Sequence, residues 1–532
     1  MTKDLFVRAT VVLCLTAAAG LSAQDSQAAT PLSDLVDNPA NGASANVRAA
    51  GDAVQGMCSY LVNTKGYTPR TVPGVSTPSE LDLFLRCNEL VQTAATLQGG
   101  SAQANFRSLG LNQAQLFGAL QQVTGEEVAA QGSLATQVPA GQFANIGSRL
   151  NALRYGTFNA AMRGRASALN WGTSGIDDTY HYAPDTGGNR YFTRDGGAAQ
   201  FLHTGMYSAD GAASGGTAPS TAAKNEEAAV PNPWGVFAEG TYNFGKRDQS
   251  SGEDGYDFKA RSVTAGIDYN FGSAVAGVSI GYDKYKADFR ADGVNLSGGD
   301  AQVKGTSGSL FGAWFSDNWT LNGIASYGTL KTDVTRVASY PSLGTCTNCG
   351  VQNRIFSGSP NGSDLAVGAT AGYDLTAGSW NLSPTLSLNY RRVKVDAYDE
   401  SEFDPPGTTG GLAMHFDSQT IDSLRSVLGI SASRPFSESF GVISPNFSLQ
   451  WQHEYKDQSR TINTAYLVDI TETGAGKIAV QTAGAAKDFG IVGVGLTALF
   501  SHRLQAYVTY ERLVGVSYLT SNSISVGVRG QL

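Results

Sequence analysis

Apolar and polar side chains alternate through roughly the last three hundred residues, in runs of about ten to fifteen positions separated by turns. The clearest runs are Val263–Phe271, Leu382–Tyr390, Ile443–Tyr455 and Ile524–Leu532. Because successive side chains of a strand point to opposite faces, each run has one apolar and one polar surface. Many long strands of this kind predict an all-β transmembrane barrel with lipid outside and water inside.

The same alternation predicts about twelve antiparallel strands between Trp234 and the C-terminus. Their predicted spans are 234–245, 256–270, 274–289, 301–315, 319–336, 364–375, 380–398, 412–433, 440–456, 488–500, 503–514 and 521–532. Connections after odd-numbered strands are long and polar, whereas those after even-numbered strands are short, such as Gly272–Ser273. Outer-membrane barrels have long outer loops and short periplasmic turns, so both ends of the barrel sequence are expected on the periplasmic side.

Aromatic residues near the strand ends predict the two interfacial belts of a membrane protein. The predicted belt residues are Phe271, Phe315, Trp319 and Trp380 by the short turns, and Tyr242, Tyr390, Trp451, Tyr455 and Tyr510 by the long loops. Isolated charges facing lipid cost a few kcal/mol near the midplane, so the charges within the strands are expected to face the lumen. These are Glu239, Asp268, Asp283, Arg391, Arg425, Glu454, Glu511 and Arg529. Their expected role is to solvate a pore.

The first part of the chain has a different pattern. Lys3 and Arg8 precede the apolar stretch Val11–Leu21 and a group of small residues, which predicts a secretory signal peptide. That stretch is too short for a spanning helix, which needs about twenty residues. The predicted domains are a signal peptide over 1–23, a small mostly helical domain over 24–206, a Gly/Ala/Ser linker with a short helix over 207–233, and the barrel over 234–532. Cleavage after Ala28 or Ala29 is the alternative to cleavage after Ala23.

Capping signals predict short helices in the N-terminal domain. Thr77 to Glu80 form a capping box with Pro78 at the first helical position, Asn112 can cap a second helix, and Thr124 to Glu127 form a second box. A fourth helix is predicted from apolar residues at helical spacing, namely Phe143, Ile146, Leu150 and Leu153. Four short amphipathic helices predict a small bundle, with that apolar stripe in its core.

The mature chain keeps four cysteines, Cys58, Cys87, Cys346 and Cys349. An even number in an exported protein favours disulfides, and the long linker between the two halves favours the pairs Cys58–Cys87 and Cys346–Cys349. The Cys-Thr-Asn-Cys sequence is an alternative half of a zinc site or a redox pair, although no second cysteine pair or nearby histidine completes a metal site.

Composition and motifs narrow the function further. A net charge of -8 argues against nucleic acid as a partner. The sequence contains no Gly-x-Ser-x-Gly, phosphate loop or His-Glu-x-x-His. Asp185-Thr186-Gly187 matches the aspartic-protease triplet but lacks the apolar strand that should precede it, and the five histidines are scattered. No catalytic, cofactor-binding or metal site is therefore predicted, and the chain is not expected to be an enzyme.

Several short sequence motifs within Trp234–Leu532 resemble those of the autotransporters, the type V secretion family. They are Trp234-Gly-Val-Phe-Ala-Glu-Gly, Ser423-Leu-Arg-Ser-Val-Leu-Gly, Trp451-Gln-His-Glu-Tyr and Ser525-Val-Gly-Val-Arg529. The resemblance implies a signal peptide, an exported passenger and a C-terminal translocator barrel of twelve strands. It also implies a pore helix, which would fall on Pro219–Ala229, and a C-terminal assembly signal at Ile524, Val526, Val528 and Leu532.

This chain differs from that family pattern in two respects. Family members usually end in Phe or Trp, whereas this chain ends in Leu532. The passenger is also short and shows none of the strand repeats of the usual β-helical kind.

The expected function is therefore that of an autotransporter in the Gram-negative outer membrane. Its barrel would anchor the chain and translocate or display a short N-terminal passenger, for which adhesion to host or neighbouring-cell surfaces is an expected role. The expected partners also include outer-membrane lipid, the barrel-assembly machinery and periplasmic chaperones, and no cofactor is expected. A porin-like channel with a periplasmic plug or partner-binding domain is the first alternative. A surface enzyme with an unrecognised passenger site is the second.

Overall fold

A computed structural model describes residues 30–68, 77–100, 108–125, 128, 142–143, 145–147, 150, 180–184, 190–194, 200–201, 233–250, 253–290, 298–316, 318–340, 352–403, 410–469, 474–500 and 504–531. The predicted signal peptide, Cys346, Cys349, Leu532 and the predicted pore helix at 219–229 lie outside these residues. None of the helices in the described part of the chain combines the length and apolarity that a membrane-spanning helix needs.

The C-terminal part is a closed barrel of twelve antiparallel strands, which confirms the predicted fold class. The strands are β1 Trp234–Arg247, β2 Tyr256–Asn270, β3 Ala274–Phe289, β4 Asp300–Ser316, β5 Trp319–Tyr340, β6 Asn361–Tyr373, β7 Trp380–Val395, β8 Gln419–Ser433, β9 Gly441–Glu454, β10 Asp488–Phe500, β11 Leu504–Val514 and β12 Leu519–Gln531. Each strand pairs with the next, and β12 pairs with β1 from Leu519↔Arg247 to Gln531↔Gly235. Closure leaves no barrel strand with a free edge in the bilayer.

The long connections follow β1, β3, β5, β7 and β9, all at one end of the barrel, which we call the loop end. The opposite end carries the short connections and is called the turn end. Along β3 the exposed side chains include Ile280 and Tyr282, whereas Ser279 and Asp283 are buried. The apolar face of the barrel wall therefore points outward, as the alternation predicts.

One predicted belt residue was wrong. Phe315 is only 2% exposed and points into the barrel beside Phe311, whereas its neighbour Trp314 is 48% exposed on the outer face. The strand alternation places Phe311 and Phe315 on the same face, and that face is the inner one. Phe271, Trp319, Trp380, Trp451, Tyr455 and Tyr510 are exposed large side chains, and Tyr242 and Tyr390 are partly buried.

Part of the predicted eighth strand also belongs elsewhere. Met414–Phe416 leaves the barrel and joins a small sheet over the loop end, in the order Tyr398–Asp399, Met414–Phe416, Thr461–Tyr466 and Lys477–Gln481. The apolar residues of 412–416 therefore face a protein core above the membrane. The fifth strand continues beyond its predicted end to Tyr340 and pairs there with Gln352–Gly358.

Four helices precede the barrel in the described residues: α1 Pro31–Asp37, α2 Ala45–Asn63, α3 Pro78–Leu97 and α4 Gln113–Thr124. The Thr77 capping box opens α3, and Asn112 caps α4. The box predicted at Thr124 was wrong, because Thr124 is the last residue of α4 and Gly125 ends the helix with φ +71°. Sequence reasoning missed α1 and α2, although Ser44 caps α2 by accepting a hydrogen bond from the Val47 amide at 3.2 Å.

The capping carboxylate of α3 is electrostatically tuned. Burial raises the pKa of the Glu80 carboxyl, but the Thr77 amide, Lys65 and Tyr67 lower it, so that the pKa lies below its usual range. A lowered pKa means that this helix end is stabilised above the usual carboxyl range and weakens in acid.

Cys58 of α2 and Cys87 of α3 form a disulfide, with a Cα–Cα distance of 5.5 Å. It closes a loop of 29 residues in sequence separation. In the chain-entropy account such a loop stabilises the folded state by about 3–4 kcal/mol.

Replacing both Cys58 and Cys87 with serine is expected to lower the stability of the helical domain by about 3–4 kcal/mol. Hydrogen exchange of the α2 and α3 amides measures this change. Reducing the wild-type disulfide with dithiothreitol should reproduce it, whereas exchange of the β1–β3 amides should not change. Equal exchange in α2 and α3 before and after the substitution would contradict the prediction.

Three further strands, Tyr180–Pro184, Arg190–Arg194 and Gln200–Phe201, form a separate antiparallel sheet late in the domain that was predicted to be mostly helical.

Candidate functional site

The helical domain packs on the loop end of the barrel and shares one apolar core with the long connections. Residues of α1–α4 contribute to this core together with the barrel's own Ala338, Tyr340, Phe356, Leu412, Met414, Phe416, Tyr466 and Ile478. The prediction of a self-contained helical bundle was therefore wrong, because the helices share their core with the connections of the barrel. We call the helical domain and the connections packed against it the cap.

A buried arginine joins α4 to the barrel. The Arg336 side chain, on the upper part of β5, is fully buried and donates to both Glu400 oxygens, at 2.9 and 2.6 Å. It also donates to the backbone carbonyls of Gln122 and Leu412, each at 2.9 Å. Its guanidinium lies 4.1 Å from the centre of the Phe356 ring. Several donors of this cation are thus used, and they tie α4 to the connection between β7 and β8, which contains both Glu400 and Leu412.

The surroundings of Arg336 are closely packed. A Cβ added to Gly125, just after α4, would lie 3.0 Å from the Phe416 ring and 3.4 Å from the Arg336 side chain. Gln122 also accepts a hydrogen bond from the Ser339 amide through its side-chain oxygen. The end of α4 is therefore shaped to fit the top of β5.

Two further contacts hold other helices to the connections at the loop end. Arg354, in the strand paired with β5, binds Asp82 of α3 at 2.6 Å and Glu402 at 2.8 Å. The Asn46 amide of α2 donates to the Gln481 carbonyl at 3.0 Å and accepts from the Gln481 amide at 2.7 Å. Asn46 thus takes both backbone hydrogen bonds that another strand would make at this sheet edge.

A short helical segment lies inside the barrel. Gln142, Phe143 and Asn145–Gly147 are helical, and Ile146 and Leu150 pack against inward-facing residues of the wall. The wall residues in this cluster are Phe237, Val275, Phe311, Ala313, Phe315 and Ile324. We call the described residues 142, 143, 145–147 and 150 the lumen segment. The stripe Phe143, Ile146 and Leu150, predicted to be bundle core, lies instead against the barrel wall; Leu153 is outside the described residues.

Two amides anchor the lumen segment to strands β1 and β2. Asn145 donates to Thr264 at 2.6 Å and accepts from Thr241 at 2.6 Å. Gln142 donates to the backbone carbonyl of Val263 at 3.0 Å and accepts from Thr264 at 2.6 Å. Both amides also lie within hydrogen-bond distance of Ser262, at 3.3 and 3.2 Å.

Two glycines make room for this segment. A Cβ on Gly281 of β3 would collide with the Gln142 side chain, and one on Gly368 of β6 would collide with the Phe143 ring. Glycine within a strand often marks the close approach of another part of the structure. This signal was present in the sequence, but alternation alone does not indicate what approaches.

The eight predicted charges all lie on inward-facing positions of their strands. Arg529 pairs with Asp268 at 3.2 Å, and Arg425 pairs with Glu454 at 3.0 Å. Arg391 pairs with Asp364, which had not been singled out, at 3.0 Å. Glu239 and Asp283 are buried in the wall, and Glu511 lines a lumen cavity of about 670 Å³ together with Arg391 and Arg425.

The other predicted site residues are placed as follows. Ile524, Val526 and Val528 are exposed on the outer face of β12. Among the described residues no group of three or more His, Cys, Asp or Glu side chains is arranged to hold a metal ion. His415 contacts carboxylates through both ring nitrogens, Asp399 at 2.6 Å and Asp417 at 3.4 Å. Both nitrogens of His415 are therefore in contact with carboxylates of neighbouring residues.

Comparisons with known proteins agree with this geometry. The family model described as Autotransporter beta-domain matches residues 236–511, which is more than half of the chain. An uncharacterised protein of the trpE-trpG intergenic region of Pseudomonas putida is 30% identical over 31% of this chain and 26% of its own length. Esterase EstA of Pseudomonas aeruginosa is 24% identical over 41% of this chain and 31% of its own length. The chain thus spans less than a third of the length of these curated relatives.

Solved barrels are similar to the C-terminal part. The translocator domain of NalP from Neisseria meningitidis has a TM-score of 0.42 at 18% identity, covering 56% of this chain and 89% of that one. The β-domain of Bordetella BrkA has a TM-score of 0.37 at 15% identity, covering 57% of this chain and 100% of that one.

Proposed function

The chain belongs to the autotransporter family, and from that premise we propose that its barrel holds the chain's own N-terminal segment in its lumen and displays the helical domain at the cell surface. The barrel is an outer-membrane translocator domain of a Gram-negative bacterium. The proposal concerns the finer points, which are the path of the chain, the location of the helices and what the displayed surface does.

The lumen segment is the observation that supports the proposal. It lies in the barrel, between the helical domain on the loop end and Trp234, where β1 starts at the turn end. A chain that joins these two ends through the lumen has its N-terminal part on the opposite side of the membrane from the start of β1. Because the long loops of outer-membrane barrels lie on the extracellular side, the helical domain would be outside the cell.

The cap defines what would be displayed. The helices and loops share one core, so the surface offered to a partner is made of both. We propose that this composite surface contacts host or neighbouring cells, and that the helical domain stays attached to the barrel. A barrel with a periplasmic plug or partner-binding domain is the competing arrangement, which the next experiment separates. The esterase activity named for the relative is not assigned to this chain, because the match spans 31% of that protein.

A site for a sequence-specific protease inserted after Gly100, in the connection between α3 and α4, tests the display. We expect cleavage when the protease is added to intact cells, because this connection is on the outward side in the proposal. The matched control carries the same site in the short turn between Gly272 and Ser273, and it should be cleaved only after the outer membrane is permeabilised. The reverse result, with Gly100 protected, would favour the periplasmic plug.

A further inference from the structure

The outer face of the barrel carries four cations in one row. Arg261 of β2 is paired in register with Lys284 of β3, which is paired with Lys304 of β4, which is paired with Lys331 of β5. All four lie at outward-facing, solvent-accessible positions of their strands. We call these residues the cation row. Neighbouring strands are about 4.8 Å apart, so the row spans roughly 14 Å around the barrel.

The row lies at the loop-end boundary of the apolar surface. The next outward positions toward the turn end are Val263, Tyr282, Thr306 and Thr329. Ile280 and Tyr327, two residues further along, are 71% and 60% exposed on the lipid-facing wall. A step of two residues advances roughly 6.6 Å along a strand. The row is therefore at the depth where lipid headgroups follow the hydrocarbon.

The row is incompletely neutralised by the protein. Lys304 pairs with Asp333 at 3.1 Å, and the Arg261 guanidinium lies 5.9 Å from the Tyr242 ring. Neither Lys284 nor Lys331 is within ion-pair distance of an acidic side chain in the part of the chain that the structure describes. Like charges directly opposite each other on adjacent strands are destabilising, so the arrangement favours an external anion.

Three other outward-facing cations near the loop end are each ion-paired with an acidic side chain. Lys246 pairs with Asp248 at 3.5 Å, Arg392 with Asp422 at 2.8 Å and Lys394 with Asp396 at 3.3 Å. These residues provide a control set with the same charge.

Two of the three nearby acidic residues have other partners. Asp257, Asp288 and Asp300 form a register row four residues further toward the loop end, roughly 13 Å along the strands. Asp288 pairs with Lys286 at 2.7 Å, and Asp257 pairs with Arg290 at 3.3 Å. Lys259 and Lys286 lie between the two rows and add to the positive charge. The charge nearest the apolar surface is therefore positive.

We propose that the cation row binds phosphate groups of anionic lipids in the leaflet at the loop end. Lysine and arginine recognise phosphate through charge-assisted hydrogen bonds, and a row at headgroup depth can contact several lipid phosphates at once. A lipid is favoured over an acidic protein because the surface immediately beside the row is the apolar, lipid-facing wall. The inference requires a barrel in a bilayer and does not depend on where the helical domain lies.

Binding of phosphatidic acid to the full-length protein in a neutral detergent tests the proposal, with native mass spectrometry as the measurement. K284Q/K304Q/K331Q should bind at least about 25-fold more weakly, because each unpaired cation near a lipid surface contributes roughly fivefold and Lys284 and Lys331 are both unpaired. K246Q/R392Q/K394Q removes the same charge and should change affinity less than about threefold, since those cations are already paired. K284R/K304R/K331R should bind like the parent.

Several results would overturn the proposal. These are equal losses in the row and control variants, equal affinity for phosphatidylcholine and phosphatidic acid, or displacement of the lipid by inorganic phosphate at the same concentration. Heat-dependent gel mobility checks that each barrel is folded. If K284Q/K304Q/K331Q does not fold, Lys284→Gln alone should weaken binding about fivefold relative to Lys246→Gln, and equal binding by these two variants would overturn the proposal.

Discussion

Replacing Arg336 with methionine is expected to destabilise the docking of the helical domain by about 3–5 kcal/mol. The substitution leaves the Glu400 carboxylate buried without its cation and removes the hydrogen bonds to the Gln122 and Leu412 carbonyls. Methionine can fill part of the space beside Phe356, so the effect comes mainly from the unpaired charge and the unsatisfied acceptors.

Hydrogen exchange of the α4 amides in the folded protein measures how firmly the helical domain is docked on the connections of the barrel. Arg336→Met should speed their exchange by a factor of about 10²–10³ or more, while the β10–β12 amides remain protected. The matched control is Lys286→Met, which removes an exposed ion pair and should cost less than about 1 kcal/mol. Adding Glu400→Leu to Arg336→Met should recover much of the loss, because it removes the uncompensated charge. Unchanged α4 exchange in Arg336→Met would show that the docking of the helical domain does not depend on this contact.

Replacing Gly281 with leucine is expected to drive the lumen segment from its place against β2 and β3. The new side chain would occupy the position of the Gln142 side chain, which has hydrogen bonds to Ser262, Thr264 and the Val263 carbonyl. Each such bond contributes about 0.5–1.5 kcal/mol, so the segment should lose about 2–4 kcal/mol of binding to the wall. The barrel itself should persist, since leucine is compatible with a strand.

Single-channel recording of the purified protein in planar bilayers gives the readout. The Gly281→Leu protein should conduct in longer or larger openings than the parent, because the segment no longer packs across the lumen. Gly368→Leu, which collides with Phe143, should act in the same direction. Gly308→Leu is the control, because nothing lies within 4 Å of a Cβ at that outward position. A Gly281→Leu channel identical to that of Gly308→Leu would mean that the segment is not held there.

The strands were predictable because alternation is a local property with a strong physical cause. A strand that separates lipid from the barrel interior must alternate, so β2 and β3 were predicted within a residue of their observed ends. The helix N-terminus at Thr77 was predictable for the same reason, since a capping box involves only neighbouring residues. Phe315 marks the limit of this reasoning. Its type suggests a membrane interface, but its side of the strand decides that it faces the lumen.

The lumen segment was recognised as helical but placed in the wrong core. Phe143, Ile146 and Leu150 lie at helical spacing, and that spacing requires an apolar surface without specifying which one. Phe237 and Phe311 provide that surface inside the barrel, and they come from strands distant in sequence. Gly281 and Gly368 were the local trace of this packing, but a glycine does not identify its neighbour.

Strand alternation, turn lengths and helix N-caps depend on residues that are close in sequence. The amino-acid sequence by itself therefore determines a twelve-stranded outer-membrane barrel and the starts of α3 and α4. The association of α2–α4 with the loop end, the burial of Arg336 and the entry of the lumen segment into the barrel depend on surfaces built from segments up to several hundred residues apart. Only the closed tertiary structure decides these, because a distant apolar or charged surface acquires its shape when the barrel has closed.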